Sequence, residues 1–153
     1  GDYIPVTGYG ENKVINEPIE VLGETLRMTC VSMGNPHAVI FVEDIKKSGV
    51  EKFGPVLERH PRFPRKTNVE FVEAVSPEHL IMRVWERGAA ITLACGTGSC
   101  ATLVAGALNG KSGRKAKIDL DGGTLLVEWK EDNHLYMTGP AELVYKGEVE
   151  DIA

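Results

Sequence analysis

Over most of the chain, apolar and polar residues alternate in short runs. Leu26, Met28 and Cys30 fall on every second position, as do Leu80, Met82 and Val84, which is the pattern of a strand with one face buried. Stretches rich in β-branched and aromatic residues, bounded by Gly, Pro, Asn or Asp, predict strands at 20–22, 26–33, 38–42, 69–75, 80–86, 115–120, 125–129, 135–138 and 142–145. Asp121-Gly122-Gly123 and Glu131-Asp132-Asn133 supply hairpin turns, so the C-terminal third reads as an antiparallel meander. A short helix is expected after Pro55, to about His60, because Pro is tolerated in a first helical turn.

The strongest helical period follows a glycine cluster. Cys100, Leu103, Val104, Ala107 and Leu108 share one face, Ala101 and Ala105 leave little polar surface elsewhere, and Asn109-Gly110 supplies the stop. A helix apolar nearly all round belongs inside a fold, so the strands should enclose it. The expectation is a single α+β domain over 1–153, a curved, mostly antiparallel or mixed sheet wrapped around a central helix in an α/β roll. The lead-in at 1–18 is turn-rich and weakly patterned.

Charge narrows the candidate partners. With Lys plus Arg 17 against Asp plus Glu 22, the net charge is −5, and the broad basic surface that nucleic acid demands is missing. The longest apolar runs, such as 38–42, are far too short to cross a membrane, and 1–10 has no basic start or apolar targeting region. A soluble, cytoplasmic protein is expected. The three cysteines, Cys30, Cys95 and Cys100, form neither an even framework nor a CxxC pair, so no disulfide scaffold and no metal site are expected. Cys30 and Cys100 read as core.

Cys95 differs, because Gly96, Thr97, Gly98 and Ser99 follow it directly at the helix start. Thr97 or Ser99 can cap the helix, and the glycines let a ligand approach backbone N–H groups beside the positive end of the helix dipole. A thiol there commonly falls below its ordinary pKa of about 8.5, which marks Cys95 as a reactive candidate. The glycines could instead cradle a phosphate, but no Lys follows the second glycine as a P-loop needs, so the case for nucleotide binding is weak. Two further clusters stand out. Gly34-Asn35-Pro36-His37 places an amide and an imidazole at a bend between strands, and Glu86-Arg87-Gly88 ends a strand with opposite charges. Each also reads as a plain turn or a solvated ion pair. With Asn68, they form a suitable kit for an amino acid: Arg for carboxylate, Glu for ammonium, amides for orientation.

In combination, Gly34-Asn35-Pro36-His37-Ala38-Val39, Phe63-Pro64 with Thr67-Asn68-Val69-Glu70-Phe71, Trp85-Glu86-Arg87-Gly88 and Ala94-Cys95-Gly96-Thr97-Gly98 resemble, in order and spacing, the C-terminal half of the diaminopimelate epimerases. The likeness runs from about Val31 to Glu148. It implies a cofactor-independent enzyme that interconverts LL- and meso-diaminopimelate in lysine biosynthesis, built of two similar halves with the active site between them. One cysteine thiolate removes the α-proton and a thiol on the opposite face returns one. By the same resemblance Cys95 is the catalytic cysteine of this half, and His37 and Glu86 tune the thiol pKa values. Asn35, Asn68, Glu86, Arg87, Gly96, Thr97, Gly98 and Ser99 bind substrate, and Tyr145 serves a homodimer. The N-terminal half, with its own cysteine motif, has no counterpart here, so the chain alone is expected to be inactive. The chain reads Ala90-Ile91 where the family usually carries a glycine and often a polar residue. A plastid location applies if the source is a plant. The alternatives are another racemase of the same fold, similar to the proline racemases, a thiol hydrolase using Cys95 with His37, or a noncatalytic module that keeps the anion-binding helix start.

Overall fold

A computed structural model describes residues 6–10 and 13–149. Of the lead-in, residues 1–5, 11 and 12 lie outside the described residues. Among the described residues nine strands form one mixed sheet: β1 (Glu17–Val21), β2 (Glu24–Ser32), β3 (Pro36–Val42), β4 (Asn68–Ser76), β5 (His79–Glu86), β6 (Ala90–Ile91), β7 (Lys115–Leu120), β8 (Gly123–Trp129) and β9 (Leu135–Thr138). The order across the sheet is β1-β2-β3-β4-β5-β7-β8-β9, with the short β6 also paired to β5. Two neighbouring pairs are parallel, β3 with β4 and β5 with β7. Each needs a crossover, and the two helices supply them: α1 (Val50–Glu58) between β3 and β4, and α2 (Gly96–Leu108) between β5 and β7.

Side chains alternate across a strand, so each strand in the middle of the sheet feeds two cores. Ala38 and Ile40 of β3, with Val69 and Phe71 of β4, pack with Val50, Phe53 and Leu57 of α1. Val39 and Val72, on the opposite face, pack with Ala101, Leu103, Val104 and Ala105 of α2. That second helix has no charged residue and touches β2, β3, β4, β5, β7, β8 and β9. The enclosed central helix expected from its composition is therefore present, and its stop at Asn109 is as read from the sequence.

Three expectations are corrected. α1 begins at Val50, not after Pro55; Gly49, in the left-handed region at φ 68, turns the chain into the helix, and Pro55 lies inside it. The Val50, Phe53, Leu57 spacing is the signal that the proline obscured. No strand forms at 142–145. Gly139-Pro140 ends β9, Pro140 has no N–H to continue a ladder, and Leu143, Val144 and Tyr145 lie exposed. Finally, neither Thr97 nor Ser99 caps α2: the cap is Cys95 itself.

Truncating the fully buried Leu103 at the middle of α2 should test the enclosure. Leu103→Ala is expected to lower stability by about 2–5 kcal/mol in urea denaturation. A loss below ~1 kcal/mol would mean that the helix is not enclosed as described.

Candidate active site

One end of the sheet gathers the chemistry. β3 and β4 run parallel and start there, with His37 beside Asn68 in register. β5 runs antiparallel to β4 and so ends there, at Glu86. The chain then turns through β6 into the start of α2 at the same end. Residues as far apart in sequence as Asn35 and Thr97 are thus delivered to one rim by topology.

At that rim the thiol of Cys95 closes the first turn of α2: the Gly98 N–H donates to Sγ at 3.3 Å. The Thr97 hydroxyl lies 3.7 Å from Sγ. Ser99 spends both its N–H and its hydroxyl on the Cys95 carbonyl, each at 2.9 Å. The N–H groups of Gly96 and Thr97 belong to the turn where a helix supplies no carbonyl of its own, so they are the amides available to an anion. Cys95 is only 8% exposed, yet it lines a cleft of about 680 Å³ with Glu86, Gly96, Thr97 and Cys100, and with Met33, Leu135 and Met137 as apolar walls. Cys100, expected in the core, is half-buried and shares this cleft.

Gly98 has structural work here. A Cβ at Gly98 would sit 2.9 Å from Glu70 Oε1 and 3.1 Å from Cys95 Sγ, so only a bare Cα lets the first turn of α2 settle over the carboxyl beneath it.

Behind the thiol a line of polar groups runs inward from the exposed Thr97 to the buried Glu70. The Asn35 amide Nδ2 donates to Thr97 Oγ1 at 3.3 Å, and its Oδ1 accepts from His37 Nε2 at 3.0 Å. His37 Nδ1 meets Glu70 Oε1 at 2.6 Å, with both side chains fully buried. Two lone pairs cannot face each other at that distance, so one proton occupies the contact. Desolvation holds the Glu70 carboxyl above its usual range; the contact with His37 opposes that push without cancelling it. Glu70 was not singled out from sequence as a site residue. Its signal was an acid inside the apolar run Val69-Glu70-Phe71-Val72.

The thiol itself departs from expectation. Burial raises the pKa of Cys95; the Gly98 N–H and the Thr97 hydroxyl oppose that push without cancelling it, and Glu70 and Glu86 add to it. Cys30, on the α1 face, is pushed up to about 12 by burial, with Glu70 contributing.

The remaining residues of the kit divide. Glu86 lines the cleft and accepts a short hydrogen bond from the Thr92 hydroxyl. Asn68 is buried, with both ends of its amide engaged: its Oδ1 accepts from the Arg87 N–H and its Nδ2 donates to the Pro36 carbonyl, both at 2.9 Å. Arg87 lies exposed at the solvent side of its turn, its guanidinium donating to the Arg65 carbonyl at 3.2 Å. Ser99 is turned wholly inward and is not brought to the cleft. Ala90, the first residue of β6, adopts φ 61, a left-handed conformation that favours glycine. Tyr145 stands remote in the exposed tail, 82% exposed. Among the described residues no group of three or more His, Cys, Asp or Glu side chains is placed to hold a metal ion.

The family model for diaminopimelate epimerase matches residues 29–144. The chain belongs to the diaminopimelate epimerase family. A curated diaminopimelate epimerase of Moorella thermoacetica is 58% identical over 148 residues, covering 96% of this chain and 53% of the relative. Diaminopimelate epimerase 1 of a Nostoc species is 56% identical over 148 residues, covering 95% of this chain and 53% of the relative. The chain thus spans about half the length of the curated diaminopimelate epimerases it matches. A solved phenazine biosynthesis protein of the PhzF family from Bacillus anthracis superposes with a TM-score of 0.50 at 16% identity, covering 73% of this chain and 38% of that one, a likeness of fold alone.

The raised thiol predicts slow alkylation. At pH 8, iodoacetamide should modify Cys95 more slowly than a free cysteine, and the rate should still be climbing beyond pH 9, with each cysteine resolved by peptide mass. A reactivity midpoint below ~8.5 would show the helix start outweighing burial.

Proposed function

We propose that this chain is the C-terminal half of a cofactor-independent diaminopimelate epimerase, with Cys95 as one of two acid/base thiols. The observation that carries the reading is the Cys95 sulfur at the head of α2, beside the N–H groups of Gly96 and Thr97 and open to a cleft. An amino acid whose α-carboxylate rests on those N–H groups presents its α-carbon near the sulfur. Removing the α-proton builds negative charge on that carboxylate, and fixed amides at the positive end of a helix stabilise the charge without reorganising.

In this scheme a thiolate on the opposite face, from the other half of the enzyme, takes the α-proton and becomes a thiol. Cys95 delivers its own proton to the vacated face and becomes the thiolate. One proton leaves and one arrives, and the configuration inverts. A buried sulfur with a raised pKa starts as the thiol, so Cys95 is the donor in the first turnover. Reversal of the roles runs the reaction the other way. Glu86 sets the charge facing the sulfur, Asn35 and Thr97 orient the substrate end, and His37 acts on the cleft through Asn35. Arg87 takes the distal carboxylate after leaving the Arg65 carbonyl, and Asn68 fixes the turn that carries it. A cytoplasmic homodimer using Tyr145 completes the proposal.

The hydrolase alternative loses support. His37 has both ring nitrogens engaged, by Glu70 and Asn35, and offers neither to Cys95.

Mixing this chain with the other half of the enzyme in deuterium oxide should give α-deuterated, inverted diaminopimelate, whereas the chain alone gives neither. Cys95→Ala should lower inversion by about 10²–10⁴-fold while leaving the fold intact by circular dichroism. Undiminished inversion in that variant would overturn the role of Cys95.

A further inference from the structure

Glu58 is an acid at the last position of α1, 3% exposed and outside the cleft. A carboxylate is rarely buried without dedicated donors. Glu58 has three. Its Oε2 accepts from the Trp85 indole N–H at 2.9 Å, its Oε1 accepts from the Gly88 backbone N–H at 3.1 Å, and the Lys66 ammonium lies 3.7 Å from Oε1. Desolvation works against the charge, but the indole and the Gly88 N–H, helped by Lys66, outweigh it and hold the carboxyl below its usual range. These donors bracket the turn at residues 86 and 87. Trp85 precedes Glu86-Arg87 and Gly88 follows them, so a single carboxylate ties both ends of the turn to α1.

We propose that Glu58 is a positioning residue for the substrate-binding turn, fixing the direction in which Glu86 and Arg87 leave the end of β5. The surrounding contacts point the same way. The Glu58 carbonyl accepts from the Thr67 N–H at 3.2 Å, which places Asn68 to receive the Arg87 N–H. The Arg65 carbonyl that receives the Arg87 guanidinium belongs to the same connection between α1 and β4. Gly88 adopts φ 80, a left-handed conformation that glycine takes without strain, so the turn can close between its two anchors. α1 also approaches Trp85 closely: a Cβ at Gly54 would lie 2.7 Å from its side chain. The helix on the face away from Cys95 thereby reaches the cleft through one acid.

The functional half of this inference rests on the reading of Arg87 and Glu86 as substrate contacts; the structural half does not. Glu58→Gln tests both. Its amide can accept one of the two N–H groups but must present its own NH₂ to the other, so one bond is lost. In this chain, Gly88 amide hydrogen exchange should quicken at least tenfold beyond any change at β2 and β3 amides. In the two-half enzyme, KM for diaminopimelate should rise about tenfold while kcat changes less than threefold. Glu58→Asp keeps the charge but is one methylene too short to span both donors. It should show the same pattern, and it carries the test if the glutamine variant does not fold. Exchange at Gly88 that changes only in step with the core overturns the inference, as does an unchanged KM in a variant whose Gly88 exchange has quickened. A wild-type assembly without turnover counts against the proposed function, and the exchange measurement then decides alone whether Glu58 holds the turn.

Discussion

The fold turns on the burial of α2. A helix of 13 residues with no charged side chain cannot face water without exposing a large apolar surface, so the sheet must curve around it. Once it is enclosed, its axis is fixed against seven strands, and its first turn must emerge at a strand-end rim of the sheet. The position of the Cys95 sulfur is therefore a consequence of core packing and not of a flexible loop. The two parallel pairings complete the placement: they require crossovers, and the crossovers bring the starts of β3 and β4 to the rim where β5 ends.

Enclosure also sets the electrostatics. The helix start favours negative charge at its amides, and by that influence alone the thiol should ionise easily. Burial opposes it and is the larger effect at Cys95. The two influences act on different atoms. The N–H groups of Gly96 and Thr97 belong to the first turn of α2, beside the cleft, while the sulfur is tucked against Gly98 N–H and beside the Glu70 carboxyl. A site that welcomes an anion at the amides and keeps a proton on the sulfur is suited to donation.

Much of this was legible in the sequence, for identifiable reasons. The central helix announced itself because its composition admits one environment only, and most strands did so because their alternation is regular. Cys95 stood out through the glycines after it. Elements that depend on distant partners were harder to read. Pro55 disguised a helix whose start is set by Gly49, and 142–145 has the composition of a strand but follows Gly139-Pro140 with no ladder to join. Glu70 and Glu58 are acids whose burial is invisible until His37, Trp85 and Gly88 are brought to them by the sheet. The cap of α2 was read as a hydroxyl because Ser and Thr usually serve, whereas the thiol accepts the Gly98 N–H instead.

The stereochemistry of the proposed reaction explains why a half-site of this kind has a use. A single sulfur fixed at a helix start can approach a bound α-carbon from one face only, because the carboxylate on the amides sets the orientation. Taking and returning the proton from that face restores the starting configuration. Inversion with the substrate held still requires a second acid/base opposite the first. In the proposed reaction the rim built by β3, β4, β5 and α2 supplies one face, with Met33, Leu135 and Met137 as apolar walls of the cleft, and the other half of the enzyme supplies the second. Rigidity on one side and an open face on the other are what a two-sided proton transfer asks of each contributor, and the packing of α2 provides the rigid side.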